Sequence, residues 1–144
     1  MNDKNIPPRG GLAASPVPCQ RGPSHRILVV DDESTIRMLL TAVLTNSGYH
    51  VESAEDGAVA WEALQAKPYD LLITDHNMPK ISGVELVKNM RSARMALPVV
   101  MVTGIVPEYE LAQNPSLHLA ATLSKPFALA DLLDSVTNAL QMAE

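Results

Sequence analysis

The chain has 144 residues, 47% of them hydrophobic and 3% aromatic, and carries a formal net charge of −5. This is globular composition for one domain whose core is filled by aliphatic side chains and alanine, and with no run of five Lys or Arg it disfavours nucleic-acid binding. No apolar run approaches the ~18 residues of a membrane helix, no signal peptide opens the chain, and the single cysteine, Cys19, suits a reducing compartment, so a cytoplasmic protein with no membrane association is expected.

Residues 1–24 hold Pro7, Pro8, Pro16, Pro18 and Pro23 with Gly10, Gly11 and Gly22 between them. Proline removes backbone donors and glycine raises the ordering cost, so this tail is expected to be a disordered linker or spacer, with a docking peptide as the alternative. From Arg26 two periods alternate. RILVVD (26–31) is a continuous apolar run, as in a strand covered on both faces. Ser34 to Ser47 follows with helical spacing at Ile36, Leu39, Leu40, Val43 and Leu44, and Gly48 suits the position after its last turn.

YHVESA (49–54) predicts a second strand and Gly57 to Ala66 a second helix, ended by Lys67-Pro68. YDLLITD (69–75) is the third strand. Gly83 to Arg94 is the third helix, with Val84, Leu86, Val87 and Met90 on its apolar side. LPVVMVTG (97–104) gives a fourth strand. Residues 107–119 are less regular, because Pro107 can open a helix and Pro115 must end or bend it. AATLSKP (120–126) is a short fifth strand. Phe127 to Met142 is a last helix, with Leu129, Leu132, Leu133, Val136 and Leu140 on one face.

Five strand–helix units in succession predict an α/β, doubly wound parallel sheet with helices on both faces. In such sheets functional residues gather at the carboxyl ends of strands. Strand one ends in Asp31-Asp32, strand three in Asp75, strand four in Thr103 and strand five in Lys125. Each has an ordinary explanation alone: a helix cap at Asp32 or Ser34, a turn acid, a loop start, a solvated lysine. Their coincidence on one rim is less easily dismissed.

Two carboxylates ~4 Å apart repel by about 4 kcal/mol at an effective dielectric near 20. Three acids with one lysine remain net negative and should recruit a small hard cation held by oxygens, for which Mg2+ fits best. Asp75 is then placed to attack phosphorus and form an aspartyl phosphate. Lys125 and the metal would stabilise charge on the transferring oxygens.

Asp31-Asp32, LLITDHNMP with Asp75, VMVTG with Thr103 and LSKPF with Lys125 together resemble the receiver domain of bacterial response regulators. KISGVELVKNMR and AEDGAVAWEAL add to the likeness, which covers residues 26–142. The resemblance implies a receiver domain over 25–144 with a flavodoxin-like (βα)5 fold in strand order 2-1-3-4-5. It implies that Asp75 accepts a phosphoryl group from a histidine kinase or histidine phosphotransfer protein. Asp32 and Asp75 would ligate magnesium directly, Asp31 mostly through water, and the Asn77 backbone carbonyl would be a further ligand. Thr103 would move to bond the phosphoryl oxygens, Lys125 would pair with one of them, and the Lys125-Pro126 bond would be cis.

Family members commonly carry Tyr or Phe three residues before the lysine, as a switch toward the output face; here that position is Thr122. The segment before it lacks the usual glycine turn, and Pro115 shortens helix four. An altered or weakened switch is expected, with the chemistry intact. Asn77 and Ile105, two residues beyond Asp75 and Thr103, occupy positions that modulate self-hydrolysis in the family. An apolar Ile105 should hinder an in-line water and slow the decay.

His25, His50, His76 and His118 are scattered without metal-ligand spacing, and His76 is expected to be an exposed loop residue, with a place flanking the site mouth as the second reading. Trp61 falls on the apolar stripe of helix two and is expected in the core. With no residues after helix five for an output domain, signalling by contact with a downstream protein partner is the leading expectation. The alternatives are a phosphorelay intermediate or phosphate sink, and a receiver fragment of a hybrid histidine kinase. An aspartate-nucleophile phosphatase is disfavoured, because Asp75 is followed by His76-Asn77 and not by a second acid two residues on. A dinucleotide-binding enzyme is disfavoured because no G-x-G-x-x-G follows strand one.

Overall fold

A computed structural model describes residues 24–143; the expected tail, apart from Ser24, lies outside the described residues. The strands are β1 (Arg26–Val30), β2 (His50–Ala54), β3 (Leu71–Thr74), β4 (Val99–Thr103) and β5 (Ala121–Ser124). The helices are α1 (Ser34–Asn46), α2 (Gly57–Ala66), α3 (Gly83–Ser92), α4 (Glu108–Gln113) and α5 (Leu129–Ala143). All strand pairs are parallel, in the order β2-β1-β3-β4-β5. This is the flavodoxin-like order that the resemblance implies.

Burial follows position in that order. The three central strands are buried almost throughout, whereas β2 and β5 at the edges are only partly covered. Strands covered on both faces have no solvent side, which is why β1, β3 and β4 read as unbroken apolar runs. The core divides into two clusters, one per face. Val84, Leu86, Val87 and Met90 of α3 meet Leu28, Leu72 and Met101 on one side. Leu40 and Leu44 of α1 with Leu132 and Val136 of α5 meet Ile27, Ile73 and Val100 on the other. Trp61 is half-buried and packs against the first cluster.

Two of the predicted stripes are narrower than expected. Leu39 of α1 is 41% exposed and Leu129 of α5 is 42% exposed. Leu129 is the first residue of its helix, beyond the reach of the layer beneath it.

Helix starts are fixed locally. Asp56 Oδ1 accepts from the Val59 N–H at 2.9 Å and so caps α2. Ser82 and Glu85 form a reciprocal capping box at α3, each side chain accepting from the other residue's backbone N–H at 3.2 Å. After α1 the chain turns at Gly48, whose φ of 98° suits a residue without Cβ. Pro115 ends α4 as expected, leaving six residues followed by a 3-10 turn at Pro115–Leu117. Helix α5 runs back along the sheet, so that Met142 and Ala143 lie beside Pro98 and Ala120, at the amino ends of β4 and β5. That is the end opposite the carboxyl rim.

Candidate functional site at the carboxyl ends of the strands

The rim gathers the residues expected there. Carboxylate oxygens of Asp31, Asp32 and Asp75 lie within 4.8 Å of one another. Asp31 and Asp75 are buried and Asp32 is exposed at the mouth. Strand geometry places them: Asp31 follows β1 and Asp75 follows the adjacent β3, with the Asp75 N–H donating to the Val30 carbonyl at 3.0 Å. Beside them Asp32, Asn77, Met78 and Pro79 line a shallow groove of about 320 Å³.

Lys125 closes the cluster. Its backbone N–H donates to the Thr103 carbonyl at 2.8 Å, and the Lys125-Pro126 bond is cis. Its Nζ donates to Asp31 Oδ2 at 2.8 Å, Glu33 Oε1 at 2.9 Å and Asp75 Oδ2 at 3.2 Å. It is not a solvated lysine. Burial works against its charge, but the hydrogen bonds to Asp31 and Glu33 outweigh burial and raise its pKa. Asp31 moves upward too, because burial exceeds the help it receives from Lys125 and from the Glu33 N–H. The two shifts are not symmetric: the ammonium faces several acids, whereas each buried acid shares one ammonium. The ammonium stays charged, and the cluster as a whole keeps an excess of negative charge.

Asp75 is aimed by its own loop. Its Oδ1 accepts from the His76 N–H at 2.6 Å and from the Asn77 N–H at 3.4 Å. The tight turn beyond it needs a glycine, since a Cβ at Gly83 would overlap the Asp75 carbonyl oxygen. Thr103 is fully buried, and its hydroxyl is the one buried side-chain polar atom without a partner among the described residues. A buried, unpaired hydroxyl is costly. Thr103 ends β4, the strand next to the one that Asp75 follows.

Glu33, Arg37 and Gly83 belong to the site without having been singled out in the sequence. Arg37 Nη1 donates to the Asp31 carbonyl at 2.6 Å. Neither Asp32 nor Ser34 caps α1: Glu33 holds that position with no side-chain cap bond, and its N–H goes to Asp31 Oδ1. His76 is a correction. It is 8% exposed, because its Nδ1 accepts from the Val84 N–H at 3.4 Å and its Nε2 lies 3.3 Å from Glu110 Oε1. Thr122 and Ile105 stand at the surface, Ile105 with 76% exposure.

The response regulator receiver domain profile matches residues 27–137. The chain belongs to the response regulator receiver domain family. The response regulator receiver protein CpdR of Brucella abortus is 36% identical over 118 residues, which cover 80% of this chain and 96% of that protein. The alkaline phosphatase synthesis transcriptional regulatory protein PhoP of Bacillus subtilis is 33% identical over 84% of this chain, which spans 50% of PhoP. Among solved structures, the Thermotoga maritima response regulator TrrA in complex with Mg(2+)-BeF is 32% identical. Its TM-score is 0.72, covering 80% of this chain and 98% of that one. Vibrio cholerae CheY4 superposes with a TM-score of 0.73 at 31% identity, over 81% and 99% of the two chains. The chain is therefore the receiver domain of a two-component response regulator, a signalling domain. No helix among its described residues is long and apolar enough to cross a membrane.

Proposed function

We propose that this receiver takes a phosphoryl group onto Asp75 from a histidine kinase or histidine phosphotransfer protein, in the cytoplasm, and signals by contact with a downstream protein. The observation that carries the reading is the cluster of three carboxylates within 4.8 Å, two of them, Asp31 and Asp75, bonded to the Lys125 ammonium, at a rim that also carries the unpaired Thr103 hydroxyl at the end of β4.

The donor set fits a divalent cation. All the charged ligand atoms offered are oxygens, the acids outnumber the lysine, and hard oxygen donors select magnesium over softer metals. Asp32 and Asp75 would hold the ion directly with the Asn77 backbone carbonyl, and Asp31 through water. Bound there, magnesium would supply charge neutralisation for an incoming phosphoryl group.

The remaining work falls to side chains. The His76 and Asn77 N–H groups hold Oδ1 of Asp75, so the carboxylate meets phosphorus in a fixed orientation. One Asp75 oxygen gives its electron pair to phosphorus while the bond to the donor's imidazole nitrogen breaks. That nitrogen leaves with the bonding pair and takes up a proton. Lys125 needs only to exchange a carboxylate partner for a phosphoryl oxygen, and the Thr103 hydroxyl donates to another.

Incubation with acetyl phosphate and magnesium, followed by intact mass measurement, tests the reading. Wild type gains one phosphoryl mass and Asp75→Asn gains none. A wild-type chain that gains nothing overturns it.

A further inference from the structure

His76 makes four separate connections. Its N–H donates to the Asp75 carboxylate at 2.6 Å and its carbonyl accepts from the Gly83 N–H at 2.8 Å. Its Nδ1 accepts from the Val84 N–H in the first turn of α3, and its Nε2 faces Glu110 of α4. A ring nitrogen that accepts from a backbone N–H carries no proton, so the proton of the neutral ring sits on Nε2, the nitrogen 3.3 Å from Glu110 Oε1. One nearly buried residue thus joins the acceptor aspartate, the start of α3 and α4.

Helix α4 is otherwise lightly held. It has six residues, no side-chain cap and no buried residue, and Tyr109 beside Glu110 is 77% exposed. A segment with so little packing shifts at low cost. On the neighbouring edge, Thr122 of β5 is exposed and carries no ring that could fill space beneath α4.

We propose that His76 is a positioning residue that passes a change at Asp75 to α4 through Glu110, a route that Thr122 does not supply. The inference rests on Asp75 as the phosphoacceptor. The chemistry gives it direction. A carboxylate oxygen bonded to phosphorus loses negative charge and becomes a weaker acceptor, while the three outer phosphoryl oxygens become the stronger ones. The His76 N–H turns toward them, the peptide between Asp75 and His76 rotates, and the imidazole on the same Cα moves against Glu110. Because the Val84 N–H steadies Nδ1, the motion is delivered at Nε2.

The test reads amide hydrogen exchange of residues 108–113 in the full chain, with magnesium alone and with magnesium plus beryllofluoride. Phosphorylation by acetyl phosphate is followed in parallel by intact mass. Wild type shows a several-fold change in α4 exchange on adding beryllofluoride. Glu110→Ala loses most of that change, and Glu110→Gln keeps it, since its amide oxygen leaves a polar partner in reach of Nε2. A Glu110 that served only helix stability would alter the magnesium-only rate and leave the beryllofluoride response at wild-type size. That outcome overturns the proposal. Glu110 is 52% exposed in its side chain, so both variants should fold; His76→Leu, which fills the space without either nitrogen, is the second arm and should behave as Glu110→Ala. A wild type that gains phosphoryl mass but shows no α4 response overturns the coupling and leaves Asp75 as acceptor. A wild type that gains no mass overturns both.

Discussion

Lys125 and Asp31 are 94 positions apart in the chain and 2.8 Å apart in the fold, joined Nζ to Oδ2. The same ammonium reaches Asp75 at 3.2 Å, so it is already where transferring charge would develop. Removing one preorganised donor of that kind costs on the order of 10²-fold in rate. Lys125→Ala is accordingly expected to slow phosphorylation by acetyl phosphate by about that factor, measured as initial rate by intact mass. Magnesium binding, followed separately by calorimetry, should be retained, because the group removed is itself a cation.

Gly83 lies against the backbone of the loop at Asp75-His76, where an added Cβ would stand 2.8 Å from the His76 Cα and overlap the Asp75 carbonyl. Overpacking of this sort typically destabilises by roughly 1–3 kcal/mol. Gly83→Ala should lower the urea midpoint accordingly. It should also slow phosphorylation of the molecules that remain folded, because relief of the overlap displaces Asp75.

Ile105 presents an apolar side chain to solvent beyond Thr103, with 76% exposure. Replacing it with an acid that orders water is expected to shorten the life of the phosphoryl group several-fold. The readout is loss of the phosphoryl mass over time in Ile105→Glu against wild type. Equal lifetimes would remove the position from any role in hydrolysis.

A second charged cluster lies on the β2 edge. Glu52 accepts from the Tyr69 hydroxyl at 2.7 Å and pairs with Arg26 and Lys67. The Tyr69 hydrogen bond, aided by Lys67 and Arg26, holds its carboxyl below the ordinary value of 4.5. A depressed acid stabilises the fold above its unfolded pKa, and that contribution disappears as pH falls through the folded value. Glu52→Gln should therefore cost about 0.5–1 kcal/mol at pH 7, given the partial exposure of the pair, and progressively less on acidification below pH 4.5. Tyr69 has the opposite sign. Burial, then the Glu52 hydrogen bond, push its phenol from 10.0 up to about 12. Its contribution is complete below pH 10.0 and fades as pH rises through about 12. Thermal melts of both proteins across pH would check the two limbs.

Much of the fold was legible because burial on two faces leaves little freedom in sequence. The run RILVV belongs to a strand with neighbours on both sides, and the α3 stripe of Val84, Leu86, Val87 and Met90 is buried at every position. The strand-end rule likewise brought Asp31, Asp32, Asp75, Thr103 and Lys125 to one rim. Periodicity misjudged Leu39 and Leu129, since it gives a face but not the width of the layer covering it. His76 misled for a different reason. Its burial depends on the Val84 N–H folding back across the 76–83 turn and on a glutamate from a distant helix. Glu33 was similarly hidden, because its partner is 92 residues away.

Helix α5 finishes beside Pro98 and Ala120, a full sheet length from the acidic rim. A dye, a bead or a fusion attached at the end of α5 would therefore leave the acidic rim open. Tethered in that way, the protein offers a simple route to testing for the proposed acyl phosphate on an immobilised sensor.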